Sequence, residues 1–334
     1  MTLPKWHPES LAARRPFLRR RTQLVEATRA FFVARGYAEV ETPYAVPTPG
    51  EEVHLRAFRT EREFTDGQRR PLWLHTSPEF AMKQLLVAGA GPIFQLARVW
   101  RNGEGSDLHA AEFTMLEWYR PGADMDALIE EASAYLRAVL PTVVTCRGVT
   151  TDLSRIERLT MADAFDRHVG ADVLATGGDA SALAAAAGTR LREGEIWEDL
   201  FFRLLLERIE PQIGRAHPTY LTHWPAAQAA LARRDPADPR VAERFELFVC
   251  GIELANAFVE LTDASEQRAR FEADRARRHA LSGPDWLLDE DFLAALSFGM
   301  PPSAGIALGF DRLAMIAAGA DRIEQVLWLA PGDR

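Results

Sequence analysis

Apolar residues Leu18, Val25, Phe31 and Phe32, set among arginines, predict a helix over residues 11–35. Gly36 ends it, because glycine tolerates the left-handed backbone of a helix C-terminus. Tyr37 to Pro43 then alternates like a strand that stops at proline. Leu72 to Thr76 reads as a short strand. Ser77-Pro78-Glu79 opens a helix through Val87, with serine as N-cap and proline at the first helical position. Ile93 to Arg101 and Glu112 to Arg120 are two strands joined by a polar, glycine-containing loop. Residues 124–140 and 160–210 are mainly helical, the alanine tract 182–187 being helical filler rather than a repeat. Strand signals return from Phe245 to Leu261 around Cys250-Gly251, followed by a charged helix over 265–281. Gly305 to Gly309 is a glycine-studded strand that runs into a helix at Arg312 to Ala318. Antiparallel strands interrupted by helices predict an α+β fold, an antiparallel sheet flanked by helices, rather than a doubly wound parallel sheet. Neither a dinucleotide fingerprint nor a Walker A sequence is present.

Composition narrows the classes. With 334 residues, 47% apolar and 26% charged, the chain has the make-up of a soluble globular protein with a substantial core. No apolar run reaches membrane-spanning length and no N-terminal segment looks like a secretion signal. Cys146 and Cys250 match no metal or redox spacing, so a disulfide framework is not expected and a reducing cytoplasm is. A net charge of −9 argues against free nucleic acid as the main partner, since phosphate binding needs a basic surface. The local exception is Arg14, Arg15, Arg19, Arg20 and Arg21. They read as a solvated helix face or, more sharply, as a docking patch for an acidic partner.

Four segments carry candidate chemistry. On the strand ending at Arg120, Phe113, Met115, Glu117 and Tyr119 share one face, mixing rings with a carboxylate. Arg101 and His109 flank the preceding loop. The segment is either a polar hairpin tip or an anion cradle in which Arg101 grips a phosphate and Phe113 offers a face for a base. Glu246, Glu253 and Glu260 recur every seven residues, as an exposed helical stripe would. The β-branched and aromatic residues before Gly251 favour a hairpin instead. A two-residue turn at Cys250-Gly251 then sets Phe248 opposite Glu253. Glu246 lies diagonally from Glu253 on the same face, about 7–8 Å away, close enough to share Mg²⁺ carrying polyphosphate. Gly305, Ala307 and Gly309 strip one strand face of bulk so that a flat ligand can lie on it, although a simple bulge would also use these glycines. Arg312 follows, where its guanidinium can stack on a ring or meet a phosphate. Ser77-Pro78-Glu79 by itself is explained by helix capping.

Taken in chain order, these segments resemble the motifs of class II aminoacyl-tRNA synthetases. Residues 36–43 resemble motif 1, 93–120 motif 2 and 305–318 motif 3, with a helical insertion over about 124–215 in a single catalytic domain spanning 1–334. Thr76-Ser77-Pro78-Glu79, Thr114-Met115-Leu116-Glu117-Trp118-Tyr119 and Gly251-Ile252-Glu253-Leu254-Ala255-Asn256-Ala257-Phe258 are similar to the lysine-specific subgroup. Lysyl-tRNA synthetases carry an anticodon-reading β-barrel before motif 1, and no such domain fits before residue 36 here. The chain therefore resembles the stand-alone paralogues, the elongation factor P–(R)-β-lysine ligases. Ala307 stands where lysyl-tRNA synthetases usually have glycine and the ligases alanine.

The resemblance implies that ATP, with Mg²⁺, activates (R)-β-lysine or lysine as an adenylate. The acyl group then passes to a lysine side chain of elongation factor P. It also implies a homodimer through motif 1. By the same resemblance Arg101 and Arg312 are catalytic, with Arg101 on the α-phosphate and substrate carboxylate. ATP meets Arg101, Asn102, Gly103, Glu104, His109, Ala110, Phe113, Glu253, Leu254, Gly309 and Arg312, with Phe113 and Arg312 around adenine. Glu246 and Glu253 hold Mg²⁺. Glu260, helped by Tyr119 and Glu117, takes the distal ammonium. Ser77, Pro78 and Glu79 take the other amino group, Asn256 lies near the carboxylate, and Ala307 borders the pocket. The family's motif 2 loop commonly reads Arg-Asn-Glu and then His-Asn-Pro-Glu-Phe. Gly103 and Ala110 depart from it and remove two side chains expected on adenine, although Glu104 can substitute by a one-residue shift. Two other readings remain: the same activation with tRNA or a small molecule as acceptor, and an inactive paralogue that senses amino acids. Retention of Arg101, Glu253 and Arg312 favours activation over the second of these.

Overall fold

Helix α1 (Pro8–Val33) starts earlier than the apolar pattern predicts, because Pro8 presets the first turn and the His7 side chain accepts from Glu9 N at 3.3 Å. The computed structural model describes residues 4–282 and 286–329; residues 1–3, 283–285 and 330–334 of the expected domain lie outside it. Chain contacts divide it into two units, residues 1–124 with 260–334, and 125–259.

In the first unit α1 is followed by β1 (Ala38–Glu39), β2 (Ala45–Val46), β3 (Phe58–Glu63) and β4 (Arg69–Leu74). Then come α2 (Glu79–Val87), β5 (Ile93–Trp100) and β6 (Glu112–Pro121). The second unit contains α3 (Met125–Val139), β7 (Val143–Cys146), β8 (Val149–Asp152), β9 (Glu157–Thr160), α4 (Met161–Val169), α5 (Ala180–Ala186) and α6 (Trp197–Leu204). It ends with β10 (Thr219–Pro225), β11 (Val241–Val249) and β12 (Ile252–Val259). The chain returns to the first unit with α7 (Ala264–Ser282), α8 (Glu290–Gly299), β13 (Ser303–Gly309) and α9 (Phe310–Ala318).

Both units are mixed assemblies of sheet and helix, the α+β class expected. In the first, β6 lies antiparallel between β5 and β13, and β1 adds to β5 in parallel. In the second, β11 lies antiparallel between β10 and β12, and β9 adds to β10 in parallel. Each of these two sets of strands is therefore antiparallel except for one short parallel pair. The core of the first unit forms where Phe32 of α1 stacks on Phe94 at 4.9 Å and meets Trp118 at 5.0 Å. Leu18, Phe31 and Phe32 are buried on that helix as expected, while at the turn between them Leu24 is fully buried and Val25 only half-buried. In the second unit Phe201 stacks on Phe165 and on Trp197, each at 5.1 Å, with Leu159, Leu221 and Phe248 in the same cluster.

Three expectations need correction. The strand expected over 37–43 shrinks to Ala38–Glu39. The helical stretch 160–210 is broken, with Gly170 (φ 77°) and Gly177 (φ 51°) in left-handed backbone ending two of its helices, and short strands β7 to β9 precede it unforeseen. The arginine cluster of α1 is neither a solvated face nor a patch for an acidic partner over most of its length. Arg14 donates to the carbonyls of Leu327 (2.6 Å) and Lys5 (2.9 Å), Arg20 donates to Ala317 O (3.3 Å), and Arg21 is buried against Asp311. Only Arg15 and Arg19 are exposed. Arg14 and Arg20 thus supply donors to backbone carbonyls, that of Ala317 lying in the last turn of α9.

Candidate active site

The strand faces foreseen on β6 and β13 lie side by side. Tyr119 pairs with Gly305, Glu117 with Ala307 and Met115 with Gly309, so a crowded strand runs beside a bare one. The bareness has a purpose at Gly305. A side-chain carbon there would lie 2.6 Å from Glu260 Oε1 and would collide with the Tyr119 ring. Glycine thus lets the phenol ring and the carboxylate converge above the strand. Ala307 packs with Phe113 against Ala97, Val99 and Met115.

Helix α2 delivers the other acid. Phe80 stacks on Phe292 of α8 at 4.5 Å and meets Phe271 of α7 at 5.6 Å, which fixes the first turn. Ser77 is not the cap residue expected. Pro78, itself buried, takes that position and the helix begins at Glu79. The Ser77 hydroxyl nevertheless accepts from Glu79 N at 3.0 Å and donates to Glu117 Oε1 at 2.5 Å, while the Tyr119 hydroxyl donates to Glu117 Oε2 at 3.0 Å. Glu117 is fully buried, and burial followed by the nearby Glu79 pushes its carboxyl up to about 8, against the two hydroxyl donors and Lys83. Ser77, Pro78, Glu79, Glu117, Tyr119 and Glu260 thus form one cluster, with Glu260 N anchored on Ser303 O at 2.9 Å.

At its centre is Lys83, a residue the sequence reading passed over. It is buried, and its Nζ lies 2.5 Å from Glu79 Oε1 and 2.5 Å from Glu260 Oε2. Burial alone would lower its pKa; the charges of Glu260 and Glu79 outweigh this and hold the ammonium above the ordinary lysine range. Burial likewise raises Glu260, with Lys83 pulling it back down. Glu260 Oε1 is buried with no hydrogen-bond donor among the described residues. A desolvated carboxylate oxygen left this way calls for a cation or a proton.

The residues expected to meet an anion stand at the ends of β5 and β6 and on α9. Arg101 lies with its guanidinium carbon 5.3 Å from the Phe113 ring centre, and the Glu104 carboxylate is 3.9 Å away. Its Nε is buried without an acceptor among the described residues, a donor that an anion would satisfy. Asn102 N donates to Arg56 O at 2.7 Å, and Gly103 (φ 85°) makes the left-handed turn of the loop. The glycine that departs from the motif is therefore the residue the backbone needs there. His109 accepts or donates to Ser106 Oγ at 2.9 Å, and its Nε2 touches the Arg312 guanidinium, which also donates to Leu108 O at 3.4 Å. His109 and Arg312, both expected at ATP, are thus brought together. Ala110 is half-buried beside them in sequence and makes no polar side-chain contact. Beneath, Asp311 joins the elements by binding Arg21 and accepting from Thr114 N at 3.1 Å, and Arg21 donates to Thr114 Oγ1 at 2.9 Å. Gly309 ends β13 one residue before α9 and makes only ordinary contact with the Arg312 stem.

In the second unit the hairpin foreseen is present, with Cys250 (φ 55°) and Gly251 (φ 68°) as its two turn residues. Phe248 faces Glu253 as expected, but a bulge follows and sets Glu246 opposite Asn256. Glu246 and Glu253 still act on each other. Burial and then the Glu253 charge push the Glu246 carboxyl up to about 8, opposed by Arg244. Arg244, also unforeseen, donates to Glu246 Oε1 at 2.7 Å, to Asn256 Oδ1 at 3.2 Å and to Gln228 O at 2.7 Å. Its guanidinium lies 3.9 Å from the Trp224 ring centre. The side chain of Leu254 is buried, so only its backbone can meet a ligand. Among the described residues no three His, Cys, Asp or Glu side chains gather as a metal cage. Two mutually repelling carboxylates do fit Mg²⁺, which uses one or two acids and takes its other oxygens from phosphate and water.

The sequence model of the tRNA synthetases class II (D, K and N) matches residues 11–331. The chain belongs to this class II synthetase family. Within that likeness it is 44% identical over 317 residues to the elongation factor P–(R)-beta-lysine ligase of Haemophilus influenzae strain PittGG, covering 94% of each. It is 43% identical over 329 residues to the protein of the same name from Klebsiella pneumoniae strain 342, covering 96% of each. With that of Edwardsiella ictaluri it shares 41% over 331 residues, 97% of each. Lys83 and Arg244 escaped the reading for the same reason: charged residues on a helix and a strand usually face water. One signal was available, since Lys83 follows Glu79 at i+4 between Met82 and Leu86 on a helix short enough to be buried. No described helix is long and apolar enough to cross a membrane.

Proposed function

We propose that this protein activates (R)-β-lysine or lysine with ATP and transfers the acyl group to a lysine side chain of elongation factor P. The observation that carries the reading is the buried, donorless Glu260 Oε1 above Gly305, in a chain alike over nearly its whole length to ligases of that name. A neutral side chain of similar length would leave that carboxylate unpaired, so the pocket selects an ammonium. In the first step a substrate carboxylate oxygen attacks the α-phosphorus of ATP and pyrophosphate leaves. Arg101 directs its orphan donor at the charge that develops there. In the second step the acceptor amine attacks the mixed anhydride, a proton departs and AMP leaves. His109 and Arg312 serve the phosphates, and Phe113 stacks on the base. Glu246 and Glu253 hold Mg²⁺, which when bound offsets phosphate charge, while Asn256 serves the substrate carboxylate. The protein works as a cytoplasmic homodimer with one synthetase-like catalytic domain. Incubating purified elongation factor P with this protein, ATP and either lysine isomer should add one lysyl residue to the factor, read by mass spectrometry. No added mass, together with no lysine-dependent pyrophosphate exchange, rejects the proposal.

The paired acids also predict a linked dependence on pH and Mg²⁺. A carboxyl raised to about 8 in the fold binds its proton more tightly there than in the unfolded chain. Its contribution is complete below the unfolded acid value and is lost as pH rises through the folded one. Ionising Glu246 beside Glu253 therefore destabilises the protein at alkaline pH, and Mg²⁺ reverses this because it binds the ionised pair. The melting temperature should rise with excess Mg²⁺ by about 3–5 °C near pH 8.5 and by about 1 °C or less near pH 6. The difference should disappear in Glu246→Gln, as measured by thermal melting without ATP.

A further inference from the structure

The Lys83 ammonium occupies the space between Glu79 Oε1 and Glu260 Oε2, and no role so far assigned uses it. We propose that Lys83 is a positioning residue of the amino-acid pocket, an internal ammonium that clamps Glu79 and Glu260 so that Glu260 Oε1 is presented, ionised, to the ammonium of the substrate. The inference rests on the lysine reading given above.

Three observations support it. First, Lys83 takes one oxygen from each acid and leaves Oε1 of Glu260 with no donor among the described residues, so the clamp is complete without filling the place a substrate would take. Second, the acids are crowded. Glu79 comes from α2, Glu260 from the segment before α7, and Glu117 and Tyr119 from β6, all acting on one another. Glu52, in the loop before β3, acts on Glu79 as well. On the side facing α8 the nearby acid is Asp291, already bonded to Gln84 at 2.9 Å. Lys83 is the cation that bears on both Glu117 and Glu260 within this group. Third, its placement is enforced, since Phe80 one turn away is packed on both Phe271 and Phe292.

Without Lys83 two carboxylates would face each other in a dry site, and one would take up a proton near neutral pH. A protonated Glu260 cannot hold an ammonium. Raising the pH would ionise it again and restore binding.

The test compares wild type with Lys83→Met by lysine-dependent pyrophosphate exchange at about pH 7 and about pH 8.5. Absence of exchange in the wild type would reject the lysine reading, and this inference with it. Given wild-type exchange, the methionine variant should raise KM for lysine about 30-fold at the lower pH and about threefold at the higher, with kcat and KM for ATP within about twofold. An unchanged lysine KM, a penalty equal at both pH values, or a loss confined to kcat would overturn the clamp while leaving lysine activation intact. Lys83→Gln, which keeps a donor for one glutamate, carries the same comparison if the methionine variant does not fold. Its lysine KM should show the same pH-dependent penalty, and a flat one overturns the clamp.

Discussion

Glu260→Gln lowers kcat/KM for lysine in pyrophosphate exchange by about 100- to 1000-fold, while KM for ATP stays within about twofold. The amide keeps the shape of the side chain and removes only its charge. Oε1 lies buried above Gly305 with no donor among the described residues, and Oε2 meets Lys83 at 2.5 Å. In the variant a substrate ammonium enters a desolvated site that no longer supplies an anion at this point. Breaking one partner of a buried pair costs about 3–5 kcal/mol, which sets the size of the loss. Lys83 retains Glu79 at 2.5 Å, so the variant should still fold, with a lowered melting temperature. Exchange at the wild-type rate would refute Glu260 as the ammonium partner.

Arg101→Ala acts on the other half of the chemistry and should lower kcat by about 100- to 1000-fold at saturating lysine and ATP. Its stability cost should be small, and this contrast with Glu260 is the informative part. The side chain lies over Phe113 at 5.3 Å, reaches Glu104 only at 3.9 Å, and keeps a buried Nε that no described acceptor meets. Removing it breaks no tight ion pair, so the melting temperature should move by less than about 2 °C. What is lost is a donor aimed at charge that develops in the reaction. Arg101→Lys should recover little, because an ammonium cannot reproduce the planar, multi-donor contact. Exchange assays with melting curves on the same preparations check both halves. A variant of normal kcat would remove Arg101 from the catalytic residues.

The chemistry-bearing segments were legible where a local rule applied. Alternation on β6 put Phe113, Met115, Glu117 and Tyr119 on one face, and the structure pairs that face with Gly305, Ala307 and Gly309. The two-residue turn at Cys250-Gly251 was legible because positive φ at both positions favours such residues, and it set Phe248 opposite Glu253. The bulge that follows was not legible. It depends on how Leu254 packs into the sheet, and no local pattern encodes it. The helical reading of 160–210 failed at its glycines, where chain reversal outweighed helix propensity.

What the sequence by itself determined is therefore the order of the chemistry-bearing segments, the strand faces and the set of acids and arginines offered to a ligand. Those follow from side-chain period and turn chemistry, which act over a few residues. Tertiary structure alone decided which charges find each other. Arg21 looked like part of a surface cluster and is buried on Asp311, Arg244 looked ordinary and holds both Glu246 and Asn256, and Lys83 joins Glu79 to Glu260 across 181 positions of chain. Burial gives each of these contacts its strength, because the loss of water turns a weak surface attraction into one that fixes position. Sequence spacing carries no record of burial, and so the ammonium at the centre of the pocket came to light only in the fold.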